Sequence, residues 1–196
     1  MGTRLDDTVL DQLFSAARTA HAFTDQPLPA GTLQKLYELA CWGPTAFNAQ
    51  PARFVFVQSE AGKSQLIPSL SPGNVAQVKA APLTVIVAYD QRFHEFLPRV
   101  FKGYDAKPLY DNAPELIEST AFRNSTLQGA YLLMAARALG LAVGPMSGFN
   151  AAVLEQEFFP DGRYRANFLM NIGYPAASGN LPRNERLRFD EAVTVI

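Results

Sequence analysis

The stretch from Glu115 to Leu139 constrains this chain more than any other. Asn112 or Pro114 can start a helix there and Gly140 can stop it. Its second half, Gly129-Ala130-Tyr131-Leu132-Leu133-Met134-Ala135-Ala136, is apolar around the whole circumference. A helix of that kind needs cover on every side. Two arrangements supply it: the core of one subunit closing around the helix, or a second subunit packing on its outer face. The small residues Gly129, Ala130, Ala135 and Ala136 would let another helix approach closely.

The flanking segments indicate the layers around that helix. In Asp6 to Ala17 and again in Pro29 to Cys41, apolar residues recur at spacings of three and four, predicting two amphipathic helices. Pro29 suits the first turn of the second. Arg53 to Gln58 reads as a strand and Leu83 to Ala88 as a more deeply buried one. Leu141 to Pro145 and Arg165 to Gly173 predict two more strands, with a helix at Ala151 to Phe158 between them. The ending Ala192-Val193-Thr194-Val195-Ile196 is strand-like. Helices alternating with short buried strands predict an α+β or α/β layered domain, and 196 residues suit one domain, 1–196. Between Asp90 and Pro114 lies a long connection carrying Phe93, Phe96, Phe101, Tyr104 and Tyr110, a candidate lid.

Several functions lose support at once. A net charge of −1 gives no field for nucleic acid or an anionic membrane. Cys41 is the single cysteine, which removes intrachain disulfides and thiolate metal clusters and suits a reducing compartment. The opening residues carry acids in a helical pattern where a signal peptide needs an apolar run, and no segment has the length of a membrane span. The expectation is a cytoplasmic protein. No G-x-G-x-x-G follows a strand and no Walker A run appears. Ser147 sits one residue off the G-x-S-x-G elbow. His21 and His94 are the only histidines, and neither has a partner at metal-ligand spacing.

Five polar islands remain: Arg18 to His21, Gly43 to Gln50, Asn74 to Gln77, Pro145 to Asn150, and Arg183 to Arg188. Each places arginine, amide or hydroxyl groups, or a turn of free peptide N–H groups, at the edge of a regular element. Those groups suit a phosphate and a heteroaromatic ring rich in acceptors. In order along the chain, Arg18-Thr19-x-x-x-Phe23, Gly43-Pro44-Thr45-Ala46-Phe47-Asn48-Ala49-Gln50-Pro51 and Gly144-Pro145-Met146-Ser147-Gly148-Phe149 resemble the nitroreductase family of FMN-dependent NAD(P)H oxidoreductases. The Gly-Pro-Met-Ser-Gly-Phe run and Leu181-Pro182-Arg183-Asn184-Glu185-Arg186-Leu187 are similar to a short branch that includes the malonic semialdehyde reductase of pyrimidine breakdown.

The resemblance implies a three-layer α/β/α sandwich with a mixed, mostly antiparallel sheet. It implies a homodimer with the long central helix in the interface, two FMN sites there, and the C-terminal arm exchanged onto the neighbour's sheet. Arg18 and Thr19 would hold the FMN phosphate or ribityl chain, with Arg183 and Arg186 completing the clamp. His21 would lie beneath the pyrimidine side of the ring, and Asn74 and Gln77 would hydrogen-bond its edge. Pro44, Thr45 and Asn48 would reach the flavin held mainly by the other subunit. Pro145, Met146, Ser147 and Gly148 would lie against the central edge, with the N–H of Ser147 or Gly148 aimed at N5 and O4. No side chain is assigned as an essential acid or base.

Two departures from the family carry a consequence. Many relatives place Lys or Arg at the positions of His21 and Gln77, where reduced flavin carries negative charge. An imidazole is only partly charged near neutral pH, and an amide is neutral, so a lower flavin potential is expected here. NADH or NADPH would be the donor. The acceptor would be a small semialdehyde such as malonic semialdehyde, or a nitro or quinone compound. The competing reading is a flavin-binding sensor or interaction protein without turnover.

Overall fold

The computed structural model describes residues 2–179 and 181–196. In chain order the elements are α1 (Asp7–Leu10), α2 (Thr32–Ala40), β1 (Ala52–Val57), α3 (Glu60–Leu66), α4 (Pro72–Ala80), β2 (Leu83–Asp90), α5 (Leu97–Val100), α6 (Pro114–Ala138), β3 (Ala142–Met146), α7 (Ala151–Phe158), β4 (Tyr164–Gly173) and α8 (Phe189–Ala192). The expected first helix is half α. After Leu10 it widens into a π-helical turn over Asp11–Ser15. The second starts later than Pro29 suggests. Gly31, at φ 82°, turns the chain into Thr32, whose N–H bonds back to the Pro29 carbonyl at 3.1 Å. The proline therefore belongs to a preceding turn and not to the helix.

Four strands form one sheet in the order β1-β2-β4-β3, every pairing antiparallel. Among the described residues one isolated parallel bridge, Thr19 to Val143, is added at the β3 edge. All eight residues of β2 are buried, because both faces are covered. Val85 and Val87 join Leu36 and Ala40 of α2 and Leu132 and Ala136 of α6 in one apolar layer. Ile86 and Ala88, on the opposite face, meet Leu66, Val78 and Leu154 from α3, α4 and α7. The period of two sends alternate residues to the two layers. Each fully buried aliphatic side chain contributes about 1.5–3 kcal/mol relative to exposure. The result is the expected α+β sandwich with helices on both faces of the sheet.

The long helix is covered on one side only. Leu132 and Ala136 are fully buried, whereas Leu127 and Tyr131, on its outer face, stay 45% and 42% exposed. Gly43 lies against the Tyr131 ring so closely that a Cβ would sit 2.8 Å from Cγ, and the neighbouring Trp42 is 81% exposed. The chain's own core therefore leaves the apolar circumference incomplete.

The connection after β2 is not a free flap. Phe93, Leu97, Ala106 and Tyr110 form a core of their own with Ala49, Tyr89 and Ala121, and the Phe93 and Tyr110 rings meet edge to face at 4.9 Å. Residues 181–196 are exposed throughout. The strand expected at Ala192–Ile196 does not form within its own chain: α8 ends at Ala192 and Val193 continues extended, φ −128° and ψ 130°. A strand exists only when its N–H and C=O groups find a partner edge, and this arm lies beside none.

Candidate functional site

Long-range pairing of the chain brings the first island to the last. Residues 22–24 run antiparallel to residues 174–176, through Thr24 N–H to the Tyr174 carbonyl (2.9 Å) and Ala176 N–H to the Ala22 carbonyl (3.1 Å). The arm that follows then passes over Arg18. Arg18, Thr19, His21, Arg183 and Arg186 line one cleft of about 290 Å³. A fourth guanidinium that the sequence reading did not single out, Arg137 in the last turn of α6, joins them. Its Nη1 donates to the Leu13 carbonyl at 2.8 Å. Burial, and then the charge of Arg183, lower its pKa from the usual arginine value. Among the described residues no carboxylate lines this cleft, and none of the four arginines forms an ion pair. Guanidinium forks gathered without a counter-charge are built for an anion.

The third and fourth islands also meet. Asn74 Nδ2 donates to the Gly148 carbonyl at 2.9 Å, and the Ser71 N–H donates to the same oxygen at 2.9 Å. Gln77 Nε2 donates to Asn74 Oδ1 at 3.2 Å. A Cβ on Gly148 would lie 2.7 Å from Asn74 Nδ2, so a side chain there would push the amide off its present position. Pro145 and Ser147 are exposed while Met146 and Gly148 are half-buried. The peptide N–H groups of Ser147 and Gly148 make no hydrogen bond among the described residues. Two adjacent unused donors thus stand at the end of β3.

β3 connects the two halves. Thr19 bridges to Val143, the Ala20 N–H bonds the Val143 carbonyl at 3.0 Å, and the Ala20 carbonyl lies where a Gly144 side chain would be, 2.4 Å from an ideal Cβ. From Val143 to Ser147 is four residues, about 13 Å of strand. The arginine cleft and the free donors therefore share one rigid support.

The second island stands apart, across α6. Asn124 and Gln128, buried and one turn apart, accept from the Ala46 N–H (2.8 Å) and the Ala52 N–H (2.9 Å). Asn48 Nδ2 donates to the Val100 carbonyl at 2.9 Å, and Thr45 Oγ1 accepts the Gln50 N–H at 3.1 Å. Pro44 is exposed. Phe47, Asn48 and Gln50 all hold positive φ, 53°, 50° and 44°. Non-glycine residues in that region cost of order 1 kcal/mol each and collect at functional sites. Packing holds them there: the Phe47 ring lies edge-on to Phe101 at 5.3 Å and to Tyr104 at 6.0 Å. Within one chain these residues do not meet the other four islands.

A layered α+β protein with a carboxylate-free arginine cleft, tied by a strand to two unused peptide donors, belongs to the class that holds phosphorylated ligands on a fixed frame. The chain belongs to the nitroreductase family, whose model matches residues 14–174. It is 54% identical over 196 residues, all of both chains, to a Rhodopseudomonas palustris (strain TIE-1) protein with the provisional name NADH dehydrogenase/NAD(P)H nitroreductase. A Stenotrophomonas maltophilia (strain R551-3) protein with the same provisional name is 52% identical over 195 residues, again all of both chains. In three dimensions the chain is similar to a provisionally named nitroreductase from Exiguobacterium sibiricum 255-15, solved in complex with FMN. That likeness has a TM-score of 0.85 over all of both chains and 20% identity, and it is one of fold.

Proposed function

We propose that this chain is an FMN-dependent NAD(P)H oxidoreductase acting as a homodimer, each subunit a single domain of residues 1–196. The observation that carries the reading is the arrangement along β3, with anion-binding arginines at one end and two free N–H donors at the other. A phosphorylated flavin has its phosphate and its acceptor-rich ring separated in that way. Family membership and the relatives' NAD(P)H nitroreductase names support the same reading.

Arg18, Thr19, Arg183 and Arg186 hold the phosphate and the adjoining ribityl hydroxyls, with Arg137 adding charge behind them. His21 and Gln77 lie toward the pyrimidine side. Pro145 and Met146 shape the wall against the ring, and the Ser147 and Gly148 N–H groups face its central edge. Once bound, FMN supplies two-electron transfer from a reduced nicotinamide to an acceptor. The protein's part is to bind, orient and exclude water, so no side chain is needed as acid or base.

The dimer accounts for what one chain leaves open. A second copy covers Leu127, Tyr131 and Trp42 and brings Pro44, Thr45 and Asn48 to the opposite site. β1 is an edge strand, and a cleft of about 400 Å³ containing Phe54, Phe56 and Gln128 runs beside it. The partner's Val193–Ile196 fits there as an added strand. The acceptor is a small semialdehyde, malonic semialdehyde being the first to try, or a nitro or quinone compound. The packed aromatic segment around Phe101 and Tyr104 bounds its size. A fluorescence titration with FMN and sedimentation of the loaded protein test the reading. It requires one FMN per chain and a mass near twice 21.5 kDa; a monomer that takes up no FMN refutes it.

A further inference from the structure

The structure assigns Asn74 as a positioning residue that aims the Gly148 N–H through two peptide planes. This rests on the flavin reading for its purpose, but the relay itself is a property of the chain. The Gly148 carbonyl receives both Asn74 Nδ2 and the Ser71 N–H, each at 2.9 Å. The peptide that follows is planar, so fixing this oxygen sends the Phe149 N–H the opposite way. It goes to the Ser147 carbonyl at 3.0 Å. Fixing that oxygen in turn orients the preceding peptide, and the Gly148 N–H points away from it, with no hydrogen bond of its own among the described residues. The Asn74 amide, together with the Ser71 N–H, thus holds Gly148 on one side and thereby sets where the unused donor on the other side faces.

Three features show that the contact is built. Asn74 packs so closely on Gly148 that a Cβ there would displace its amide, 2.7 Å away. Gln77 Nε2 bonds Asn74 Oδ1, which fixes the amide with its NH2 group toward Gly148. The surrounding chain is tied down as well, by the Leu70–Phe149 bridge and by the Asn150 N–H to the Ser69 carbonyl at 2.7 Å. Loss of the Asn74 donor therefore leaves the Gly148 carbonyl held by the Ser71 N–H alone, which loosens this one peptide group while the segment stays attached. Asn74 and Gln77 are thus not simply two contacts to one edge of the ring. They form a line of hydrogen bonds running to the opposite contact.

Asn74→Asp keeps the shape and removes the donor; Gln77→Ala leaves Asn74 in place and frees its amide. Two measurements follow on each variant. The first is hydrogen exchange of residues 146–150 in protein without flavin. The second is the rate at which bound FMN is reduced at saturating NADH or NADPH, with FMN affinity measured alongside. Asn74→Asp is expected to exchange about tenfold faster in 146–150, with β3 unchanged, and to slow flavin reduction about tenfold, the size of one hydrogen bond. FMN affinity is expected to change less than about threefold, because phosphate contacts dominate it. Gln77→Ala is expected to shift exchange and reduction rate the same way by less. Unchanged exchange in both variants overturns the relay. So does slower reduction matched by an equal loss of FMN affinity, which marks Asn74 as a direct ligand. Faster exchange in a protein that never binds FMN upholds the relay and refutes the flavin reading instead.

Discussion

Arg18 and Arg183 each hydrogen-bond the backbone beside the other: Arg18 Nη2 donates to the Leu181 carbonyl, and Arg183 Nη2 to the Ala17 carbonyl at 3.1 Å. The two guanidiniums staple the C-terminal arm over the N-terminal loop and define the mouth of the anion cleft between them. Binding and ordering of the arm are therefore coupled.

Arg18→Met or Arg183→Met is expected to weaken FMN by about tenfold or more, as loss of a charge-assisted hydrogen bond requires. Riboflavin, which lacks the phosphate, should lose much less affinity than FMN in the same variants. Arg137→Met should show the same split with a smaller amplitude. Parallel fluorescence titrations with the two flavins check this. An equal loss for both would assign these arginines to holding the arm alone.

Gly144→Ala drives a methyl group into the Ala20 carbonyl, 2.4 Å away. Neither backbone can move without breaking the Thr19–Val143 bridge. Overpacking of this kind costs about 1–3 kcal/mol, and the variant should lose that much stability in urea unfolding together with most of its FMN affinity.

The aromatic segment should carry a pH dependence through His94. Burial first, and then the charge of Lys107, lower its pKa from the ordinary 6.5, and its Nδ1 is buried without a hydrogen-bond partner. Above that value both folded and unfolded chains carry a neutral imidazole, and the residue adds no pH dependence. As the pH falls below about 6.5 the unfolded chain takes up the proton first, so stability is lost until the folded group protonates. Thermal unfolding of His94→Gln between pH 7 and 5 should lack that part of the decline.

How much of this could be read beforehand depended on whether the signal was local. The long helix was legible to within a residue at each end because Pro114 and Gly140 punctuate it, and Ala151–Phe158 matches the helix that formed. The π-turn at Asp11–Ser15 was not, since its apolar spacing also fits an α-helix. The arm's ending was legible as strand-like but not as unpaired, because the partner edge is no property of the segment. Arg18 and Arg183 stood out in polar islands, whereas Arg137 was masked by the apolar run around it. Asn74 was found but its contact was not: Gly148 lies 74 positions away, and only the fold of α4 against the end of β3 brings them together.

In the proposed arrangement, His21 and Gln77 are the groups that face the pyrimidine side of the flavin. With no fixed cation there, the bound flavin should have a lower reduction potential than in relatives bearing lysine at these positions, and His21→Lys should raise it. Potentiometric titration of wild type and variant decides the direction, and an unchanged or lowered potential in the variant would contradict it.

Anaerobic addition of NADH or NADPH to the FMN-loaded protein tests the central reading most directly. Rapid bleaching of the visible flavin band, followed by its return on adding a small semialdehyde, nitroaromatic or quinone, is the predicted result. A bound flavin that neither nicotinamide reduces would leave a cofactor-binding protein without this chemistry and contradict the account.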